Sequence, residues 1–403
     1  MKKLEKSVPV IRFKGFSEAW EQRKLRDIAN YRNGKAHEQV EDEDGKYTII
    51  NSKFISTNGK VQRYTNEQVE PIFDGEIAMV LSDLPNGKAL AKLFLVKEDG
   101  KYTLNQRIAG ITPNENIDPI FLNFRMNRNN YFLKFDSGVT QTNLSKSQVE
   151  NFIALYPTFD EQYKIGLFFT QLDDAIALHQ RKLDALKLMK KGLLQQMFPN
   201  NEEKVPRLRF ADFNEKWERC KISSFARNTY GGGTPKTNVP EYWQGRIPWI
   251  QSGDLLIDSL FNIIPKKHVT GSAVKSSATK CIPANSIAIV TRVGVGKLAF
   301  IPFEYTTSQD FLSLSNLRVD SNFGTYSIYI MLQRELNNIQ GSTIKGITKS
   351  DLLEKNIDKP LNRIEQERIG VSLKLLDNII TLHQSKLEKL SSLKKVYLQR
   401  MFI

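Results

Sequence analysis

The chain contains an internal duplication whose two parts are repeated to different degrees. Residues 9–29 return 197 positions later as residues 206–226, with 9 of 21 positions identical. A second block, residues 161–198, returns 204 positions later as residues 365–402, with 19 of 38 positions identical. Two similar blocks that flank dissimilar segments predict a protein that performs the same kind of function at two separate sites.

The segments between the repeated blocks, residues 30–155 and 227–358, resemble each other poorly. Both contain short runs of β-branched and aromatic residues, such as 47–51 and 286–290, separated by Asn-Gly and Asp-Gly turn signals. Each is therefore predicted to be a mixed α/β globule with a strand-rich core. The acidic run at 41–45 is interpreted as a solvated hairpin tip, not as a metal site.

The longer repeated block carries a heptad pattern in both copies, and no proline interrupts it. Each helix would be on the order of 55 Å long and could not bury its apolar stripe alone. Because a duplicated unit that packs on its own copy favours two-fold symmetry, an antiparallel coiled coil is predicted. Two separate helices packed on globular domains remain the alternative. The predicted seam contains Ile165, Leu172, Ile176, His179, Leu183, Leu186, Ile369, Leu376, Ile380, His383, Leu387 and Leu390.

Polar residues also occupy the seam. His179 and His383 lie at the midpoints of the two copies, so the antiparallel pairing predicts that their imidazoles lie close together. Lys190 and Lys394 are expected to extend to solvent or to phosphate instead of staying buried.

The composition narrows the class of partner. The 403 residues include 58 Lys and Arg against 44 Asp and Glu, a net charge of +14 that favours an anionic partner, nucleic acid first and a membrane surface second. Two cysteines fit a reducing compartment and exclude a disulfide framework. The N-terminus lacks the apolar region of a signal peptide, and no apolar run is long enough to span a bilayer, so a cytoplasmic location is expected.

Catalytic motifs are weak throughout. Residues 293–298 contain Gly-Lys without the complete phosphate-binding motif. After the glycine run at 231–233, Pro235 stands where a phosphate-binding helix should begin and indicates a loop. Four histidines provide no convincing catalytic triad or zinc site, and no Asn-Pro-Pro-aromatic tetrad is present. The sequence therefore indicates a binding module with no metal site of its own.

Loops that mix glycine, hydroxyl, amide and basic side chains are the candidates for DNA contact, because these groups suit phosphate oxygens and base edges. The Lys-Ser pairs at 146–147 and 349–350 equally suit the start of a helical region. The candidate residues are Thr140, Gln141, Asn143 and Lys146 in the first half, and Gly232, Thr234, Lys236, Tyr242, Arg292, Lys297, Thr343, Lys345 and Lys349 in the second.

These features together resemble the specificity subunit of type I restriction–modification systems. The resemblance covers essentially the whole chain, because two divergent segments alternate with two similar long helices. Local sequences agree with it: Gly-Gly-Thr-Pro at 232–235, Pro-Glu-Tyr-Trp at 240–243, and Leu-His-Gln-x-Lys-Leu at 178–183 and 382–387.

The resemblance implies an α+β protein in which two mixed α/β target-recognition domains are joined and separated by two long antiparallel coiled-coil helices, as a pseudo-two-fold repeat. Each domain would read one half of a split, asymmetric double-stranded DNA target, and the helices would fix the gap. Two methyltransferase subunits and further restriction subunits would be the partners. S-adenosylmethionine, ATP and Mg²⁺ would then be held by those partners and not by this chain.

The predicted boundaries are 9–159 for the first recognition domain, 160–199 for the first helix, 206–361 for the second domain and 362–403 for the second helix. Two other classes stay open. A self-sufficient nuclease would act on DNA with Mg²⁺ alone, and a coiled-coil adaptor would bind no DNA in a salt-dependent manner.

Overall fold

The computed structural model describes residues 8–37, 39–200, 203–338 and 346–402. The chain divides into two units: the described residues of 1–180 and 385–403 form the first, and those of 181–384 form the second. The predicted ranges 9–159 and 206–361 are called the first and second globular domains below. Each unit thus contains one globular domain and segments of both long helices.

The first globular domain and the helix that follows it contain twelve strands and five helices among the described residues. The strands are β1 Glu21–Lys24, β2 Ala29–Asn33, β3 Tyr47–Ile50, β4 Tyr64–Thr65, β5 Pro71–Ile72, β6 Ile77–Val80, β7 Ser82–Asp83, β8 Leu93–Leu95, β9 Tyr102–Leu104, β10 Ile108–Pro113, β11 Thr142–Asn143 and β12 Ile153–Tyr156. The helices are α1 Ser52–Ser56, α2 Pro119–Met126, α3 Asn130–Leu133, α4 Lys146–Glu150 and α5 Phe159–Gln196.

The second globular domain and its helix contain nine strands and four α-helices among the described residues. The strands are β13 Glu218–Lys221, β14 Ala226–Gly231, β15 Ile247–Ile250, β16 Lys267–Val269, β17 Ser286–Val290, β18 Leu298–Ile301, β19 Thr306–Thr307, β20 Phe311–Leu317 and β21 Asn356–Lys359. The helices are α6 Gly271–Lys275, α7 Ser321–Asn338, α8 Lys349–Glu354 and α9 Arg363–Met401.

The two globular domains share one sheet topology despite their dissimilar sequences. Four antiparallel strands run in the order β2-β10-β6-β8 in the first and β14-β20-β17-β18 in the second. The central strands β6 and β17 are buried along their whole length, which explains why their sequences are apolar runs and do not alternate. A common four-stranded frame therefore underlies both halves.

Each frame carries a second, smaller sheet. Most of its strands lie between the first and second frame strands in chain order, and one, β9 or β19, lies between the third and fourth. In the first domain this sheet has the order β4-β3-β9-β5, and in the second it has the order β16-β15-β19. One pair in each small sheet, β3 with β9 and β15 with β19, is parallel. The acidic run at 41–45 in the first insert forms an exposed turn, as expected, but it is not the tip of a hairpin, because the flanking strands β2 and β3 belong to different sheets.

The long helices α5 and α9 begin within two residues of the predicted starts, and their pairing is antiparallel. In the first unit, Phe168 contacts Tyr397 at 5.1 Å between ring centroids, and Asp173 binds Lys394 at 2.5 Å. Later positions on α5 therefore meet earlier positions on α9. Every predicted seam residue is buried or half-buried, from Ile165 at the start of α5 to Leu390 near the end of α9.

Repeated residues at the start of each long helix anchor it to its own domain. Arg12 forms two 2.7 Å hydrogen bonds to the buried Glu161, and Arg209 forms the equivalent pair to Glu365 at 2.7 and 2.9 Å. The repeated Glu-Gln sequence is thus explained by contacts with the repeated N-terminal arm.

The glutamine that follows each glutamate has an equally consistent role. Gln162 accepts a hydrogen bond from the Asp118 backbone N–H at 3.1 Å, and Gln366 accepts one from Asp320 at 2.9 Å. Asp118 and Asp320 in turn cap the N-termini of α2 and α7. Each glutamine therefore fixes the long helix against a helix of its own domain.

Gly166 and Gly370 allow that close helix approach. A Cβ at Gly166 would lie 2.8 Å from an Asp118 carboxylate oxygen, and one at Gly370 would lie 2.6 Å from the Phe323 backbone nitrogen. No other residue fits either position without displacing the neighbouring helix.

The expectation that Lys190 and Lys394 extend to solvent or phosphate is wrong. Lys190 lies 2.5 Å from Asp377 in the second unit, and Lys394 lies 2.5 Å from Asp173 in the first. These pairs are equivalent under the 204-residue repeat. Both ammonium groups are largely buried, so a carboxylate on the facing helix stabilises them better than a strained extension toward water would.

The two seam histidines lie in different units, His179 in the first and His383 in the second, and both are half-buried. Their predicted proximity stays a prediction.

Candidate nucleic-acid interface

A single residue ties three loops together at one end of the first four-stranded sheet. The Leu81 backbone N–H donates to the Arg107 carbonyl at 3.0 Å, and the Leu81 carbonyl accepts from the Leu144 N–H at 2.8 Å. The loop after β6, the loop before β10 and the loop before α4 therefore meet at Leu81. We call this group the first reading cluster: residues 81–92, 105–107 and 137–146.

The second domain repeats this arrangement at Thr291. Its backbone N–H donates to the Asp310 carbonyl at 2.7 Å, and its carbonyl accepts from the Ile347 N–H at 2.8 Å. The corresponding second reading cluster comprises residues 231–236, 291–297, 308–310 and 346–349. Because both ties use backbone atoms, any residue except proline can form them, and the loops can differ in sequence while keeping their positions.

The candidates of the first half lie in the first reading cluster. Thr140, Gln141 and Asn143 are exposed, and the Gln141 amide donates to the Ser82 hydroxyl at 2.7 Å. Lys146 is exposed at the start of α4, where its ammonium lies 5.8 Å from the Tyr31 ring centroid and 3.6 Å from Glu150. The structure thus brings these four candidates to one face.

A carboxylate organises the adjacent loop of the first cluster. One Asp83 oxygen accepts hydrogen bonds from the backbone N–H groups of Ala89 at 2.6 Å and Leu90 at 3.0 Å. The loop presents Leu84 at its tip with 69% of the side chain exposed. An apolar tip held by a half-buried carboxylate suits contact with a thymine methyl group.

In the second cluster, the glycine loop packs directly on the chain before β20. A Cβ at Gly232 would lie 1.9 Å from the Ser308 carbonyl oxygen, so only glycine fits this close approach. The Thr234 hydroxyl donates to the Gln309 side-chain oxygen at 2.6 Å. The sequence candidates Gly232 and Thr234 are thereby placed beside the loop at 308–310.

Three cations converge on the second cluster. The Lys349 ammonium nitrogen lies 2.6 Å from where a Cβ at Gly231 would be. Burial lowers the pKa of Lys349 from its usual value, and the nearby charges of Arg292 and Lys280 lower it further, against a smaller opposing effect of Asp310. Positive charges brought together in this way favour an anion between them.

The remaining candidates of the second half have different surroundings. Lys236 is exposed, while the Lys297 ammonium donates to the Ser252 carbonyl at 3.2 Å. Tyr242 is half-buried in a small aromatic cluster with Trp243 and Trp249. Two further candidates, Thr343 and Lys345, lie outside the described residues.

Ion pairing differs only in part between the two domains. In the first reading cluster, among the described residues, Lys88, Lys92 and Arg107 have no carboxylate within ion-pairing distance. In the first domain, Lys35 binds Glu70 at 3.1 Å, Arg63 binds Glu41 at 3.0 Å and Lys146 approaches Glu150. In the second domain, among the residues that the structure describes, no carboxylate lies within ion-pairing distance of a group of basic side chains. That group comprises Lys236, Arg246, Lys266, Lys267, Lys275, Lys280, Arg292, Lys297 and Lys349.

Sequence reasoning missed residues that the structure places in both clusters. Gln106 and Gln309 occupy equivalent loops before β10 and β20, and both are exposed. Leu84 and Val293 occupy equivalent loops after β6 and β17, with 69% and 72% of their side chains exposed. One feature of the sequence could have indicated these loops. Gln106 and Gln309 are separated by 203 positions, close to the repeat distance, inside segments that otherwise align poorly.

The described residues contain no group of three or more His, Cys, Asp or Glu side chains that could hold a metal ion. Within those same ranges, the structure has no helix with the length and apolarity needed to cross a bilayer.

Comparison with known proteins agrees with this architecture. The family model for the type I restriction modification DNA specificity domain matches the chain twice, at residues 17–188 and 214–392. The chain belongs to this family. The specificity subunit is the DNA-recognition component of these systems and not a catalytic subunit, so DNA and partner subunits of the restriction–modification complex are its partners.

Relatives and solved structures extend the match to nearly the whole chain. The specificity subunit of the type I restriction enzyme MjaVIII from Methanocaldococcus jannaschii is 21% identical, over 94% of this chain and 91% of the relative. The EcoR124I/EcoR124II specificity subunit from Escherichia coli is 35% identical over 40% of each chain. The crystal structure of the S subunit from M. genitalium matches with a TM-score of 0.66 at 12% identity, covering 98% of this chain and 99% of that one.

Proposed function

We propose that this specificity subunit binds a bipartite, asymmetric DNA target, with one half-site read by each globular domain. The single observation that carries the proposal is the matched pair of reading clusters. Their loops are tied by equivalent backbone hydrogen bonds at Leu81 and Thr291, but they present unlike side chains. Equal positions with unlike side chains correspond to two half-sites of different sequence.

The exposed groups in the clusters suit different tasks in that reading. Lys146 in the first domain, and Arg292 with Lys349 in the second, would contact phosphates. Gln141, Asn143 and the two equivalent glutamines, Gln106 and Gln309, carry the amide groups that pair with adenine edges. The apolar tips Leu84 and Val293 would contact thymine methyl groups.

The helix pair α5 and α9 would fix the gap between the half-sites. The buried seam, its repeated ion pairs and the anchored helix starts support a rigid spacer. Predicted boundaries at 9–159, 160–199, 206–361 and 362–403 assign the recognition domains and spacer helices of this arrangement.

The same scaffold would dock two methyltransferase subunits and, in the full complex, restriction subunits. One solved chain that matches with a TM-score of 0.53 comes from work on complex assembly and conformational transition of the type I system. S-adenosylmethionine, ATP and Mg²⁺ would bind to those partners, and the complex would act in the cytoplasm.

A methylation map tests the proposal directly. The chain is co-expressed with its methyltransferase subunit in a host that lacks restriction–modification, and methylated bases are mapped by long-read sequencing. We expect one new motif with two unlike half-sites and a fixed gap, which is absent without this chain. No new motif from soluble, co-purifying subunits would contradict the proposal and favour the adaptor alternative.

Two changes to the chain then test the recognition domains and the long helices separately. Replacing residues 30–155 with those of another recognition domain should change one half-site only. Inserting whole heptads into both α5 and α9 should change the gap and leave both half-sites intact. Cleavage of DNA by the isolated chain with Mg²⁺ alone would instead support the nuclease alternative.

A further inference from the structure

A shallow groove of about 510 Å³ lies on the small sheet of the second domain, outside the second reading cluster. It is formed where the 3-10 helix Pro240–Trp243 meets strand β16. Basic, aromatic and amide side chains dominate its walls. The lining residues are Thr237, Trp243, Gln244, Gly245, Lys266, Lys267 and His268.

Two tryptophans hold the position of one of the groove's cations. Lys267 is paired with Trp249 across β15 and β16, and its ammonium lies 5.6 Å from the Trp249 ring centroid and 5.5 Å from that of Trp243. The two indole rings pack edge to face at 5.0 Å. A lysine placed over two indoles is ordered before any ligand arrives, which lowers the entropic cost of binding an anion.

The groove's cations have no acidic partner. Among the described residues, no carboxylate lies within ion-pairing distance of Lys266, Lys267 or His268. The insert to which they belong, residues 232–285, contains six basic residues against three acidic ones. The equivalent insert of the first domain, residues 34–76, contains five against nine. The positive groove is therefore specific to the second domain.

The groove is joined to the second reading cluster by hydrogen bonds. The Trp249 indole N–H donates to the Gly233 carbonyl at 3.0 Å, and the Trp243 indole N–H donates to the Lys236 carbonyl at 3.2 Å. The floor of the groove thus holds the glycine loop in place. The groove therefore adjoins the glycine loop of the second reading cluster.

We propose that this groove binds phosphates of duplex DNA that flank the half-site read by the second domain. The inference rests on the function proposed above and adds a contact outside the recognised bases. Because the Lys267 ammonium lies over the tryptophan rings, backbone oxygens and not stacked bases are the fitting ligand. The groove would raise affinity and steepen salt dependence without changing the recognised sequence.

The test uses the complex with methyltransferase subunits and two duplexes that contain the motif found by methylation mapping. One duplex ends at the outer edge of the second half-site, and the other continues for about one further helical turn. The wild-type complex should bind the longer duplex more tightly, with a log–log salt slope steeper by about 1.8 if two phosphates are contacted.

The double variant Lys266→Gln/Lys267→Gln should lose this gain on the longer duplex, bind the shorter duplex normally and methylate the same motif. The double variant Lys53→Gln/Lys60→Gln removes the same charge from exposed positions of the first domain and should keep the gain. Lys267→Arg, which retains a cation over the indoles, should keep it too.

A gain that persists in Lys266→Gln/Lys267→Gln, or a wild-type complex that gains nothing from the flank, would overturn the proposal. Equal loss on both duplexes would also overturn it, because the contact would then lie within the half-site. Failure of the proposed function is a different result, since the wild-type chain would then direct no methylated motif at all.

Discussion

The two globular domains share the four-stranded frame and differ in how many of their basic side chains form ion pairs. In the first, two of the five basic residues at 34–76 bind carboxylates, Lys35 to Glu70 and Arg63 to Glu41. In the second, the described basic residues from Lys236 to Lys297, with Lys349, have no such partner. The comparison teaches that one backbone arrangement supports two electrostatic strategies, with the second domain better prepared to bind phosphate.

The largest effect is expected at Arg292. Arg292→Ala should weaken binding of the full target roughly ten- to hundredfold, because the exposed guanidinium stands at the centre of the second cluster. The matched control is Arg318→Ala, since Arg318 is exposed at the opposite end of strand β20. Titrations of labelled duplex with the methyltransferase complex measure both. Equal losses in the two variants would remove Arg292 from the interface.

Lys349→Gln should have two opposite effects, a loss of DNA affinity and a gain of stability in the free protein. The lost phosphate contact should weaken DNA binding about tenfold and lower the log–log salt slope by about 0.9. The free protein should melt at a higher temperature, because the substitution removes a charge that is partly buried and that Arg292 and Lys280 repel. Lys275→Gln, an exposed lysine on α6, is the control and should change neither quantity much. Lower stability in Lys349→Gln would contradict the repulsion.

The sign of the pH dependence follows from the same residue. The folded-state pKa of Lys349 is below its unfolded value, so its charged form is costly at neutral pH and that cost is relieved as the pH rises through the folded-state pKa. DNA affinity should fall over the same alkaline range, below the pH at which exposed lysines lose their charge. A wild-type affinity that falls no earlier than that of Lys349→Gln would contradict this account.

The apolar tips should have a smaller effect that is specific for sequence. Leu84→Ala should weaken binding about fivefold and relax the preference at one position of the first half-site, since a few methyl and methylene groups would leave the groove. Val293→Ala should do the same in the second half-site. Ile264→Ala, with 80% of the Ile264 side chain exposed outside both clusters, is the control. Methylation maps of the three variants decide whether single positions change.

The smallest effect is expected when a carboxylate that pairs with a basic residue of the first domain is removed, which leaves that residue unpaired like those of the second domain. Glu150→Gln removes the carboxylate beside Lys146 and should tighten binding about twofold, because exposed ion pairs are weak. Glu98→Gln is the control. It removes the ion-pair partner of Lys101, which lies outside the first reading cluster, and should leave affinity unchanged. Weaker binding in Glu150→Gln would indicate that the pair serves to position Lys146.

Much of this architecture could be predicted from the sequence because it rests on periodic side-chain patterns. The heptad spacing predicts α5 and α9, the duplication predicts their antiparallel pairing, and the apolar run at 286–290 is strand β17. The shared frame of the two domains could not be predicted. The ties at Leu81 and Thr291 are backbone hydrogen bonds, which any residue except proline can form.

The site was predictable only in part, for reasons visible in individual residues. Thr140, Gln141, Asn143 and Lys146 follow a glycine in a polar loop, and the structure gathers them at one face. The aspartate partners of Lys190 and Lys394 were missed, because each lies about two hundred positions away in the chain. The predicted contacts themselves stay predictions until DNA is bound.

The backbone ties have a consequence for how this protein can evolve. Substitutions at Leu84 or Val293 alter exposed side chains while the bonds that place their loops remain intact. Such mutations should therefore be nearly neutral for folding, even when they change which bases are preferred. A lineage carrying this chain could explore new targets without first acquiring compensatory stabilising mutations, so sequence drift in the reading loops can supply new DNA specificities.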